Sequence, residues 1–231
     1  MTGLIGEAFV AIWHDIVPEG KAEFTAWHTR EHMPERLALG GFLRGRRYLA
    51  ERGEPEYFNL YEVQTADVLT GEEYLTRLNN PTPWTRSALP YFRKVSRSLC
   101  RLGASFGRCQ GGVILTARFE SAAGQKEGLA RFLADEALPK TFDCPGVVGA
   151  HFGTADRSGS EIVTTERKAR GNLTLVPGWV VLLEGLSGAA LEYAALAGLS
   201  REALEAHGAQ QPVELGTYRL ECALTRTDVL I

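Results

Sequence analysis

The chain repeats itself. Residues 27–46 (WHTREHMPERLALGGFLRGR) and 132–151 (FLADEALPKTFDCPGVVGAH) align without a gap at a spacing of 105 residues. Trp27 meets Phe132, Glu31 meets Glu136, Pro34 meets Pro139, Gly41 meets Gly146 and Phe42 meets Val147. The same spacing lays Ala8–His14 on Val113–Phe119, and both stretches are apolar and rich in strand formers. An aromatic, a Glu, a Pro and a Gly in fixed register behind a strand mark a tandem duplication. Solenoids need about three or more repeats, so two copies imply two halves packed on each other, residues 1–107 and 108–231.

Each half reads as strand, helix, strand, strand, helix, strand. In the first, Ala8–His14 is a strand, and Pro18 suits the first position of a helix. Phe24, Trp27, His28 and Glu31 share one face of that helix. Pro34 lacks an N–H and clashes one turn back, so the helix should end or kink near His32. Gly40-Gly41 turns the chain into strands over 42–50 and 57–63. A helix follows over 71–79, a helical segment within 84–95 and a strand over 96–102. The second half gives a strand at 113–119, a helix at 125–137, strands at 146–155 and 179–184, helices at 189–197 and 201–207, and a strand at 213–224. Glu62 and Glu184 end matching strands at a spacing of 122, so about 17 residues are inserted within 156–176. Hairpin loops usually run about 2–5 residues. The insertion, with Arg167, Lys168 and Arg170, reads as a long exposed arm for packing or motion. Gly103–Gly112 reads as the join.

βαββαβ is the ferredoxin-like unit. One face of its sheet is bare of helices, and two fused copies can bury those faces together. The fold class is therefore α+β: two tandem ferredoxin-like halves in one intramolecular pseudo-dimeric α/β barrel. The run Trp27-His28-Thr29-Arg30-Glu31-His32-Met33-Pro34, followed by Gly41-Phe42, resembles EthD-like members of the dimeric α/β-barrel superfamily in tandem-fused form. The resemblance implies a small apolar cavity between sheet and helices. It also implies a range of activities: cofactor-free monooxygenases, isomerases, cyclases, dehydratases and haem enzymes. Fold alone does not choose among them.

His32 is the leading candidate for chemistry. It stands in the motif, Ala137 replaces it in the second copy, and an imidazole titrates near neutral pH. It would act as acid or base on a small, apolar, oxygenated substrate, with Glu31 orienting it. The recurrence of Glu31 as Glu136 equally suits a structural carboxylate. His14, replaced by Phe119, shares a strand face with apolar residues. With His28, Asn59, Tyr61, Trp84 and Arg46 it completes the candidate substrate-binding set. His28-Thr29-Arg30-Glu31-His32 also spells an inverted zincin pattern, but no downstream acidic ligand is clearly placed, so no metal is assigned. No phosphate loop or nucleophile elbow is present. Nothing in the sequence calls for a cofactor. A non-catalytic ligand-binding protein and a haem- or metal-dependent oxidoreductase stay open as alternatives.

Composition narrows the partners. The net charge is −3 over 231 residues, which does not indicate a nucleic-acid surface. No apolar run approaches the roughly 18 residues of a membrane helix. The first ten residues lack a basic start and carry Glu7, unlike a secretory leader. Four scattered cysteines suit reduced thiols in a cytoplasm. The expected partner is a small molecule, bound by a monomeric pseudo-dimer or a homodimer.

Overall fold

The computed structural model describes residues 3–171 and 174–229. The chain has eight strands interspersed with helices: β1 (Ala8–Ile16), β2 (Phe42–Arg52), β3 (Tyr57–Val63), β4 (Phe92–Gly107), β5 (Val113–Ser121), β6 (Val147–Ala155), β7 (Trp179–Gly185) and β8 (Ala209–Thr225) among the described residues. They close into one barrel in the order β1-β3-β2-β8-β5-β7-β6-β4. Each half contributes four neighbouring strands, and β2–β8 and β4–β6 seal the halves together, antiparallel like every other pair. Closure leaves none of the eight strands with an unpaired edge. The edge groups that could otherwise pair with a second chain are used internally.

Strand alternation sends successive side chains to opposite faces. Phe9, Ala11, Trp13, Tyr48, Phe58, Leu60, Ile114, Val180, Leu182 and Tyr218 fill the barrel. Among them runs a buried charge cluster. Arg46 reaches Glu184 at 2.8 and 3.0 Å and Glu62 at 2.9 Å, and Arg44 also pairs with Glu62. Two guanidinium groups meet two carboxylates, which is how buried charge becomes tolerable. The opposite faces carry the helices and three further apolar clusters.

The helices are α1 (Lys21–Trp27), α2 (Met33–Ala38), α3 (Glu72–Asn79), α4 (Pro83–Ala88), α5 (Lys126–Phe132), α6 (Leu138–Phe142), α7 (Arg157–Ser160), α8 (Thr165–Arg170), α9 (Gly188–Gly198), α10 (Arg201–Ala206) and α11 (Arg226–Val229). The duplication reaches into their fine structure. Between α1 and α2 lies a single wide π turn, His28–His32, and between α5 and α6 lies its copy, Leu133–Ala137. The Met33 N–H bonds the His28 carbonyl, five residues back, and Leu138 bonds Leu133 likewise. Proline follows each time. It cannot donate and crowds the carbonyl four residues back, and the wide turn gives it room. The helix expected to end or kink near His32 therefore continues to Ala38. Gly41 and Gly146 also match, at φ of 84° and 86°, a region where glycine is at home.

Two other expectations are corrected. Helical structure after Trp84 runs through α4 and a single tight 3-10 turn, Leu89–Tyr91, and ends there, so β4 begins at Phe92 rather than at Ser96. The supposed join at 103–107 is the end of that strand, and the bare Gly103 lets the Phe152 ring lie where a Cβ would stand, 2.3 Å away. The 156–176 arm, of which 172–173 fall outside the described residues, folds back onto the first half. Asp156 caps α7, Thr164 caps α8 and Gly171 ends it in the left-handed region. Leu99 N–H donates to Ser160 Oγ at 2.9 Å, Thr165 N–H to Asn79 at 3.0 Å, and Leu175 joins β4 through Val95 and Arg97.

Candidate functional site

On the helix side of the first half, a cavity of about 40 Å³ lies between the sheet, the wide turn and the arm. β1 lends it Val10 and Ile12, β3 lends Asn59 and Tyr61, and the turn lends His28 and His32. Arg36 enters from α2, Tyr74 and Leu78 from α3, Phe92 and Arg97 from β4, and Glu166 and Arg170 from α8. A larger groove of about 400 Å³ lies in the second half against α9, α10 and β8, but no histidine or tyrosine lines it.

The wide turn aims two histidines inward. Their ring centroids stand 5.6 Å apart, and His32 lies 4.4 Å from the Trp27 ring. Arg47 stands 3.2 Å from His28 Nδ1. A guanidinium can only donate, so Nδ1 accepts and the proton of neutral His28 sits on Nε2. That nitrogen donates across 3.0 Å to the Tyr61 hydroxyl, which leaves the phenol proton available to a ligand. Burial pushes the Tyr61 hydroxyl pKa up, so it remains a donor. The Asn59 amide donates to His14 Nε2 at 2.9 Å, while its carbonyl oxygen, like His32 Nδ1, is buried and unbonded.

Burial also governs the imidazoles. His14 falls to about 3. His28 is held well below its usual value by burial and then by Arg47, and His32 by burial and then by Arg36. All three are neutral at pH 7.

The expected site residues thus divide. His28, His32, Asn59 and Tyr61 line the cavity, and His14 stands behind Asn59, stacked on Tyr57 at 5.3 Å. Glu31 does not orient His32. It accepts from the hydroxyls of Thr82, at 2.5 Å, and Thr85, at 3.3 Å, and so ties the wide turn to the start of α4. Its counterpart Glu136 is exposed. Trp84 donates to Glu23 at 2.5 Å and packs beside Phe24 and Leu89. Arg46 lies inside the barrel, on the other face of the sheet. Arg36, Tyr74, Arg97, Glu166 and Arg170 were not anticipated.

A comparison of the copies could have found part of this set. The strand register pairs Ile12 with Asn59 and Val10 with Tyr61; in the second half it pairs Ala117 with Val181 and Leu115 with Leu183. His14, His28, His32, Asn59 and Tyr61 therefore correspond to Phe119, Leu133, Ala137, Val181 and Leu183. Those five side chains sit in one apolar cluster. The same architecture stands without the polar groups, so the fold does not require them. Among the described residues, no group of three or more His, Cys, Asp or Glu side chains is arranged to hold a metal ion, and no helix is long and apolar enough to cross a membrane.

No protein-family model and no curated protein matches the chain. Solved structures do. An anthrone oxidase-like protein aligns at a TM-score of 0.63 and 13% identity, over 98% of this chain and 96% of that one. A candidate monooxygenase from Lactobacillus acidophilus aligns at 0.58 and 11%, over 96% and 97%. A heme-binding protein from Thermus thermophilus aligns at 0.50 and 12%, over 94% and 93%. At these identities the likeness is one of fold: the chain is a dimeric α/β barrel made within a single polypeptide.

Proposed function

We propose that the first-half cavity is the active site of a small-molecule enzyme whose own side chains perform acid–base chemistry, with His32 as the base. The supporting observation is the asymmetry between the copies: polar groups crowd one sheet–helix interface and apolar ones fill its counterpart. Neutral His32, with Nδ1 unbonded, can take a proton from an acidic C–H or O–H. The Tyr61 hydroxyl and nearby arginines can then stabilise the negative oxygen that develops, the usual task of fixed donors in a water-poor site. Val10, Ile12, Trp27, Phe42 and Phe92 suit an apolar or aromatic body. Such a proton transfer begins an isomerisation or dehydration, and it makes the electron-rich anion that oxygen attacks in cofactor-independent oxygenation. The names of the fold neighbours are compatible with the last.

The test is a screen of enolisable and phenolic ring compounds in air and under nitrogen, with products read by mass spectrometry. A positioned general base contributes about 10²–10⁴-fold. Wild type should convert at least one compound, and His32→Ala should lose that factor while keeping its melting temperature. Binding without conversion would favour the ligand-binding alternative. Conversion indifferent to His32→Ala would remove His32 from the chemistry.

A further inference from the structure

Arg47 stands one step behind the cavity wall, buried on β2. Its Nε donates to Glu221 on β8 at 2.9 Å. The two protons of Nη1 go to Thr29 Oγ1 at 3.1 Å and His28 Nδ1 at 3.2 Å, both on the wide turn. The guanidinium is thus held from two sides, with an N–H aimed at His28. The second half shows what this place looks like without it. At the 105-residue spacing Arg47 corresponds to Phe152 and Thr29 to Ala134. The seams between the halves extend the match. β8 slips register at Glu221, between the pairs Arg47–Cys222 and Tyr48–Leu220. β4 slips at Gly103, between the pairs Phe152–Ala104 and Gly153–Leu102. Glu221 and Gly103 therefore hold the same place. The line Glu221–Arg47–His28–Tyr61 becomes Gly103–Phe152–Leu133–Leu183, whose three side chains share one apolar cluster. The Phe152 ring lies against the bare Gly103. The seam, the slip and the wide turn all form without the polar line, so the fold does not require it.

We propose that Arg47 is a positioning residue that fixes the hydrogen-bond direction of the cavity, and that the ligand it prepares for is a ketone or aldehyde whose carbonyl oxygen accepts the Tyr61 proton. This rests on the reading of the cavity as a small-molecule site. A guanidinium only donates, so His28 accepts at Nδ1 and gives its Nε2 proton to the Tyr61 hydroxyl. Among the described residues His28 is the one hydrogen-bond partner of that hydroxyl, which is left with a proton to place. Without Arg47 the pair is free to reverse. The phenol, the better donor, turns its O–H onto Nε2, His28 carries its proton on Nδ1, and the ligand meets an acceptor instead of a donor. A hydroxyl on a ligand can serve either arrangement, because it both donates and accepts. A carbonyl only accepts, so it is the group for which a fixed direction matters.

The experiment titrates the intact protein with acetone and cyclopentanone, and in parallel with 2-propanol and cyclopentanol. Ring ¹⁵N resonances of His28 give its tautomer in the free protein and report occupancy during the titration. Free wild type should carry the proton on Nε2. Arg47→Met should move it to Nδ1 and weaken the ketones about three- to tenfold, the scale of one neutral hydrogen bond, with the alcohols unchanged. Tyr61→Phe should weaken the ketones to the same degree. Adding Arg47→Met to it should cost the ketones nothing more, since Arg47 acts through Tyr61. If Arg47→Met fails to fold, Arg47→Phe with Glu221→Gly, the pairing that the second half already packs, carries the test. A proton on Nδ1 in wild type, or equal losses for ketones and alcohols in the Arg47 variant, overturns the proposal and leaves the cavity reading standing. If neither ketones nor alcohols perturb His28 in wild type, the cavity reading falls and the ligand class falls with it.

Discussion

Arg36, on the helix of the first copy, is ion-paired with Glu166, on the arm that grows out of the second, and both side chains are almost wholly buried. The pair fastens the arm across the cavity that His28 and His32 line. Removing one partner of a buried pair typically costs about 3–5 kcal/mol, because the other charge is stranded. Glu35 remains 3.5 Å from Arg36, so Glu166→Ala should fall near the low end, about 3 kcal/mol by urea unfolding. Trypsin should then cut faster at Arg167 and Lys168. A variant of wild-type stability and protease resistance would mean that other contacts hold the arm.

Acid should unfold this protein early. His14 and His151 are neutral in the fold with pKa values of about 3, chiefly through burial, and burial lowers His28 and His32 as well. The unfolded chain protonates each near 6.5. Between that value and the folded pKa the unfolded state binds more protons, so stability falls as pH falls. Each histidine adds a slope of up to about 1.4 kcal/mol per pH unit, and for His14 and His151 the window closes near pH 3. Urea midpoints measured across the window should show this slope. His14→Phe, the residue present as Phe119, should lower it by about one proton. An unchanged slope would mean that His14 is charged when folded.

The repeat made the fold legible, because Pro34 and Gly41 return at one fixed spacing and each has a backbone reason to do so. It left the wide turn unread: a proline that ends a helix and a proline that follows a π turn look alike in sequence. The site was half legible. His28, His32, Asn59 and Tyr61 lie on short segments whose faces follow from period. Glu166 and Arg170 lie more than 100 residues away in an insertion with no counterpart, and only folding brings them to Arg36. Arg46 misled for a simple reason: alternation along β2 says that it shares a face with Arg44 and Tyr48, but not that this face is the inside of a barrel.

The second copy also predicts a rescue. Asn59 donates to His14 across 2.9 Å with both groups buried, and the corresponding pair is Val181 and Phe119. Asn59→Val alone leaves His14 Nε2 without its donor, a loss of about 1–3 kcal/mol. Replacing both partners by apolar groups removes the polar requirement altogether, which is often nearly neutral. The ring at position 14 would still stack among Phe24, Tyr57 and Phe92. His14→Phe with Asn59→Val should therefore recover most of the stability lost in Asn59→Val, while ligand binding stays impaired because Asn59 lines the cavity. A double variant less stable than either single one would show that the polar pair is needed for the packing of this half and would weaken its assignment to function.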